Sequence, residues 1–405
     1  MYSAYSIKNK NSANQSTTRI TNRLNIIELL LHQGQLSRSQ ISKIMGLSKP
    51  AVTENVDWLL AKGIILEAGQ GNTSTKGGRR PIYLEFNKKY AYIIAIDLSP
   101  RYPLCAIGDL EGNIIAEKRI IAKKNIGSTK LLNTFLNVID ELIKETNISK
   151  ESIGIISIST PGIIGKNLKI TNPQFKEITD IDLDKALHNL FKVPVIIKND
   201  VNVAVVGEHT RGHGKNVNSL IYVGIGKGLG VGIILNDSLY EGKTFAAGEI
   251  NIFTSDTLYL KNKTLEQDIA MGGLIKHVED ALIQNKYDSS FLLNIYNNNK
   301  SIGFDDIVSA YNSGDPLAID QISKVGRTLG IVLHNIAALL DIELIIIGGE
   351  YAPFYKILKE EFLKINKNNI KCPSTSIKQS ALKEKAVIQG SLMIARDDYL
   401  KLMEL

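Results

Sequence analysis

Two cysteines in 405 residues, Cys105 and Cys372, leave no disulfide framework to staple the chain, so a reducing compartment suits it. No apolar run approaches the roughly 18–20 residues of a membrane span. The polar start "MYSAYSIKNKNSANQSTT" lacks the apolar stretch of a secretory signal, and a cytoplasmic location away from membranes is expected. Tryptophan occurs once and proline ten times. What remains is an ordinary globular composition, 44% hydrophobic and 22% charged, with room for more than one domain.

Acidic residues are scarce only at one end. Residues 1–89 carry 13 Lys and Arg against 5 Asp and Glu, a balance of +8. The remainder carries 35 against 36, a balance of −1. Such asymmetry predicts a polyanion-binding module joined to a near-neutral body.

Residues 1–18 are rich in Ser, Asn, Lys and Thr without periodicity and read as a disordered tail. Residues 19–88 read as a winged helix-turn-helix. Ile20, Leu24, Ile27 and Leu31 recur at helical spacing until Gly34. Ser37 is placed to cap a second helix with Ile41 and Ile44 inward, and Gly46 to make a tight turn. Ser48 caps a third, "KPAVTENVDWLLAKG", whose Val52, Val56 and Leu59 form one face. The opposite side presents Lys49, Pro50, Thr53 and Glu54 near the end that would enter a major groove. Trp58 reads as a packing residue of this helix. "IILEAGQ" and "IYLEF" alternate as wing strands, with Ile64 and Leu66, then Ile82, Leu84 and Phe86, half-buried. Arg79 and Arg80 in "GGRRP" would reach phosphates or a narrow minor groove from the wing. Candidate DNA contacts are therefore Ser37, Ser48, Lys49, Pro50, Thr53, Arg79 and Arg80.

From residue 89 to 405 strands and helices alternate. The segments "YAYIIAIDLSP", "YPLCAIGDLEGNIIAEKRI", "IGIISISTPGII", "VPVIIKNDVNVAVVGEHTRG", "SLIYVGIGKGLGVGIIL" and "IELIIIGGE" predict an α/β body with a mixed sheet in two lobes. A helix is expected over about 128–146.

The order of "GGRRP", "DLEGNII", "PGII", "NDVNVAVVGE", "GIGKGLGVGII", "GE" at 248–249, "LE" at 265–266 and "IIIGGE" resembles the ROK family of repressors, open reading frames and sugar kinases. The nearest match is its xylose-repressor-like branch. The resemblance covers residues 19 to about 395. It implies a winged helix-turn-helix followed by a two-lobed, actin-like and ribonuclease H-like sugar-kinase body. It also implies that Asn199, Asp200, Glu249 and Glu266 contact a sugar, and Asn172 is grouped with them as an effector contact. In the family's kinases the matching aspartate is the general base toward a sugar hydroxyl. On the residues alone, Asn-Asp after a strand also reads as a turn or an N-cap.

Two family features are missing. The kinases hold phosphate on an Asp-x-Gly-Gly-Thr turn, where this chain has Asp97-Leu98-Ser99-Pro100-Arg101-Tyr102. Proline offers no N–H, and side chains replace the glycines. The glycines at 224, 226, 228, 230 and 232 persist, as any turn between two strands allows. The family's zinc knuckle, a histidine and three cysteines after Gly-Glu, has no counterpart in "INIFTSDTLYLKNKTLEQ". His213 and His334 have no partners at metal spacing and are expected to be structural. No metal, cofactor or catalysis is therefore expected. The reading is a homodimeric repressor that binds double-stranded operator DNA and senses a sugar, xylose or a relative. Two alternatives stay open: a sugar kinase with an added DNA-binding head, and a regulator whose body binds no small molecule.

Overall fold

The computed structural model describes residues 15–70, 80–99, 103–121, 127–162, 164, 182–254, 263–284, 290–367, 374–403 and 405. No helix among them is long and apolar enough to cross a membrane.

The chain opens with α1 (Gln15–Gln33), already helical inside the segment read as tail. There follow β1 (Leu36–Ser37), α2 (Arg38–Met45), α3 (Lys49–Ala61), β2 (Ile65–Gln70) and β3 (Ile82–Phe86). The helix starts are written locally. Ser37 caps α2 through a reciprocal capping box with Gln40, and the Ala51 N–H donates to Ser48 Oγ at the start of α3. Between them Gly46 takes φ 65, a left-handed backbone that a β-carbon would strain.

Tertiary packing revised several faces. The core of this part is Ile26, Ile27, Leu30, Ile41, Val52, Val56 and Leu59, with Trp58 half-buried against it. Ile20 is exposed, and so is Ile44 at 49% exposure. The α1 stripe keeps Leu24, Ile27 and Leu31 against the core, is joined by Ile26 and Leu30, and loses only Ile20, while α2 spends only one isoleucine on the core. In the wing Ile65 is buried while Leu66 is 41% exposed, because a one-residue offset exchanges the two faces of a strand. The two-residue β1 adds a third strand in the order β1-β3-β2, too short to leave an alternation in the sequence.

The first lobe of the body contains β4 (Tyr92–Asp97), β5 (Leu104–Asp109), β6 (Ile114–Arg119), α4 (Ser128–Thr146), β7 (Ile153–Thr160), α5 (Leu183–Phe191) and β8 (Val195–Asn199). Its sheet runs β6-β5-β4-β7-β8, with β4, β7 and β8 parallel and β5 and β6 antiparallel. Next come α6 (Asp200–Arg211), β9 (Leu220–Ile225), β10 (Leu229–Leu235) and β11 (Ser238–Leu239). A helical block follows: α7 (Leu265–Ile269), α8 (Met271–Ile283), α9 (Phe291–Asn299), α10 (Phe304–Asn312) and α11 (Pro316–Leu340). The chain ends with β12 (Leu344–Gly348), α12 (Tyr355–Lys367), β13 (Ser376–Gln379) and α13 (Ala386–Leu402). The second sheet runs β11-β10-β9-β12-β13. Numbered within its own lobe, each sheet has the order 3-2-1-4-5, so one mixed-sheet unit is used twice.

Two helices exchange lobes. From the end of β8, α6 packs on β9 and β10 of the second sheet. From the second lobe, α13 returns to β4, β5 and β7 of the first. They cross in backbone contact. A β-carbon on Gly390 would lie 1.8 Å from the Val203 carbonyl oxygen, and one on Gly207 would lie 2.2 Å from that of Ala386. Beside the crossing the buried Glu208 carboxylate accepts from Ser380 Oγ (2.6 Å), the Leu382 N–H (2.9 Å) and the His213 N–H (3.0 Å). Three donors satisfy a charge that would otherwise be costly to bury.

Candidate functional site

The amino-terminal module presents a cationic helix start. Ser48, Lys49, Pro50, Thr53 and Glu54 are all exposed at the first turns of α3. Pro50 pre-sets the helical backbone without losing a bond, because the first N–H groups of a helix have no internal partner. Thr53 Oγ1 donates to the Lys49 carbonyl at 2.9 Å, and Glu54 is held by Arg19 at 2.9 Å. Lys49 is left as the cation at this end. Arg80 is exposed at the base of the wing, and Arg79 lies outside the described residues. Ser37 differs from the others. It is buried, with its hydroxyl engaged by Gln40 and Ser39, so its place is the helix cap and not the outer surface.

The second constellation is a cleft where the first lobe meets the second. Asn199 ends β8 and caps α6. Its Oδ1 accepts from the Asn202 N–H at 3.1 Å, and its Nδ2 donates to the Gly162 carbonyl at 3.0 Å. The amide therefore fastens the β7 turn to the helix start, as the cap reading of the sequence expects. Asp200 follows at the first position of α6, where Oδ1 accepts from the Val201 N–H at 2.8 Å. It keeps some solvent access at the cleft floor. Desolvation by the surrounding walls, with Glu249 and Glu350 adding repulsion, pushes its carboxyl up to about 6.

Asp97, buried at the end of β4, faces the same space. Burial first, then Asp200 and Glu350, hold its carboxyl well above the usual range, although Oδ1 accepts from the Ser99 N–H at 2.9 Å. Glu249 is also raised, by desolvation and by Glu266, while Asn251 Nδ2 donates to it at 2.9 Å. Glu266 Oε2 accepts from the Leu229 N–H at 3.1 Å. Asp97, Asp200, Glu249, Glu266 and Glu350 thus share one field. Carboxylates accept hydrogen bonds and do not donate, so the cleft suits a neutral ligand rich in hydroxyls and opposes an anion.

The glycine run 224–232 is explained by packing. β-Carbons on Gly224, Gly230 and Gly232 would meet Val201 of α6 at 2.7, 3.2 and 2.1 Å. One on Gly226 would fall 1.5 Å from Glu350 Oε2. Where a phosphate loop needs donors, this loop leans on a carboxylate.

Reading the sequence singled out Asn199, Asp200, Glu249 and Glu266, and all four line or frame this cleft. It missed Glu350 and the charge of Asp97 as walls. Glu350 ends the quoted "IIIGGE", so its signal was present without a role. Asn172 and Pro100 to Tyr102 lie outside the described residues, as does 255–262 of the loop in which a zinc knuckle was looked for. Among the described residues no cluster of three or more His, Cys, Asp or Glu could hold a metal ion. His334 Nδ1 bonds Asn366 Oδ1 at 2.8 Å, a structural role.

Two family profiles match the chain. A profile of the ROK family matches residues 93–398, and one described as winged helix-turn-helix DNA-binding matches residues 21–65. The xylose repressor of Bacillus spizizenii (strain ATCC 23059 / NRRL B-14472 / W23) is 31% identical over 80% of this chain and 80% of its own. A crystal structure of a ROK family transcriptional regulator, a homolog of the E. coli MLC protein, superposes with a TM-score of 0.78 at 21% identity. It covers 95% of this chain and 98% of that one. A ROK family glucokinase from Streptomyces griseus, in complex with glucose and AMPPNP, gives a TM-score of 0.62 at 20% identity. It covers 76% of this chain and all of that one. The kinase shares the body of the fold, and the regulator shares nearly its full length.

Proposed function

The chain belongs to the ROK family, and from that premise we propose that it is a DNA-binding transcriptional repressor of carbohydrate-utilisation genes, controlled by a sugar bound in the cleft. One observation carries the reading: a single chain joins an exposed helix start, Ser48 to Thr53, to a carboxylate-lined cleft centred on Asp200. Its B. spizizenii relative is named for xylose, and xylose or a similar neutral sugar is the effector we assign. The DNA reader would work as a homodimer in the cytoplasm. One small module makes too few contacts for regulatory affinity, and two-fold symmetry matches a palindromic operator. A sugar controls operator affinity only by preferring one arrangement of the lobes, a coupling of about 1–3 kcal/mol. Operator affinity measured across pentoses, hexoses and their phosphates should fall at least fivefold with one neutral sugar. A flat panel would remove the sensing half of the reading.

The DNA half carries its own expectation. Arg79→Ala with Arg80→Ala should weaken operator binding and lower its salt slope by at most about two charges. Lys49→Ala or Thr53→Ala should instead change which sequences are preferred. A uniform loss at Lys49 and Thr53 would place the reading helix elsewhere.

A second reading, a sugar kinase with a DNA-binding head, draws support from the Asp200 carboxyl at about 6, which suits a general base. Against it stands Gly226, set against the Glu350 carboxylate where phosphate would need donors. ATP turnover that depends on sugar and disappears in Asp200→Asn would favour the kinase.

A further inference from the structure

The carboxylate cleft is not the only cavity that a small molecule could enter. A second, of about 400 Å³, lies at the seam between the amino-terminal module and the body. From the module come Trp58 and Lys62, at the end of α3. From the body come Tyr90, Gly154 and Tyr399. Its volume is that of a small-ligand pocket.

The chemistry of the walls is specific. Trp58 carries two cations at its ring: the Arg23 guanidinium 3.9 Å from the centroid and the Lys62 Nζ at 5.6 Å. Among the described residues that line the cavity there is no aspartate or glutamate. No ion pair joins Lys62 to a carboxylate among the described residues. Tyr399 is seated by an absence. A β-carbon on Gly154 would lie 2.6 Å from its Cε2, so the ring can rest on β7 only because residue 154 has no side chain. Burial, with Tyr90 beside it, pushes the Tyr399 phenol up to about 12, which keeps it a neutral hydrogen-bond donor. Trp58, Tyr90 and Tyr399 line the space a planar ligand would enter, with Arg23 over the Trp58 ring. The Lys62 ammonium offers a partner to a carboxylate, and no acidic residue stands among the described lining residues.

We propose that this seam is a binding site for a small aromatic carboxylate, separate from the sugar cleft. A ligand held there touches the end of the DNA-reading helix and the body at once. Its affinity must therefore depend on how the two are disposed, and this is the requirement for a second effector.

Trp58 is the single tryptophan of the protein, so its emission reports on this cavity alone. The test titrates the full chain with benzoate, against acetate, which lacks the ring, and benzyl alcohol, which lacks the charge. Benzoate should change the emission saturably, with a dissociation constant on the order of 1 mM for so small a ligand. Both controls should bind at least fivefold more weakly. Lys62→Glu, an exposed position, should weaken benzoate at least tenfold, and Asp200→Asn should leave the titration unchanged, which separates this site from the sugar reading. An emission change linear in benzoate, or a saturable one that Lys62→Glu leaves intact, would overturn the proposal.

Discussion

Asp200→Asn should abolish the response to sugar and, at the same pH, make the protein more stable. The carboxyl sits at about 6, raised by desolvation and by Glu249 and Glu350, against an ordinary value near 3.8. A carboxyl raised in the folded state binds protons more readily there than in the unfolded chain. Between about pH 4 and pH 6 stability therefore falls as pH rises, and the full penalty is present above 6. Asparagine removes that penalty while keeping the shape, so the variant should melt higher than the wild type at pH 8. The two should converge as pH falls toward 4. Asp97 faces Asp200 and is raised as well, so the two titrate as a coupled pair and the transition will be broad. The functional loss has the same origin: the carboxylate accepts ligand hydroxyls from a position where water competes poorly, and an amide can accept through only one atom. In the wild type, sugar affinity should weaken by up to tenfold per pH unit below about 6. Thermal-shift titrations of both proteins from pH 5 to 8 measure both effects. A variant that still shifts with sugar, or that melts below the wild type at pH 8, would remove Asp200 from the ligand site.

Gly390→Ala should be among the most damaging single-methyl changes in the molecule, costing about 3 kcal/mol. The new β-carbon would lie 1.8 Å from the Val203 carbonyl oxygen, which belongs to helix backbone and cannot swing aside. The only relief is to part α6 from α13. These two helices carry the chain between lobes, and Asp200 is the first residue of α6. The same variant should therefore also disturb the cleft. Gly207→Ala meets the Ala386 carbonyl oxygen at 2.2 Å at the same crossing, so the double variant should cost less than the sum of the singles. Gly272→Ala in α8 is the contrast. Nothing lies within 4 Å of its β-carbon position, and it should stabilise by about 0.5 kcal/mol through helix propensity alone. Denaturant unfolding of the four variants gives the comparison. Equal effects at 390 and 272 would mean that the crossing does not hold the lobes together.

Much of the site was legible because its signals are short-range. A capping serine acts on an N–H three residues away, as Ser37 and Ser48 do, and the stripe Val52, Val56, Leu59 repeats within two turns. Asp200 was singled out by the family resemblance, since its local place after a strand and before a helix reads equally as a turn or an N-cap. The errors have the same physical form. Ile44 and Leu66 satisfy local periodicity, but which apolar residue is covered depends on partners from other segments. Ser37 shows the limit from the other side: its role as a cap was correctly read, and only its burial removes it from the outer surface.

The sequence by itself determined the cationic head, the starts of α2 and α3 and the alternation of strands and helices along the body, because hydrogen bonds and periodicities within a few residues encode them. Only the tertiary structure decided that Asp97, Glu249 and Glu350 gather around Asp200. It likewise decided that Gly224, Gly230 and Gly232 are spaces for α6, that Gly226 makes room for Glu350, and that Trp58, Tyr90 and Tyr399 line one seam. Charge repulsion, desolvation and contact depend on distances through space, and separation along a chain does not carry them.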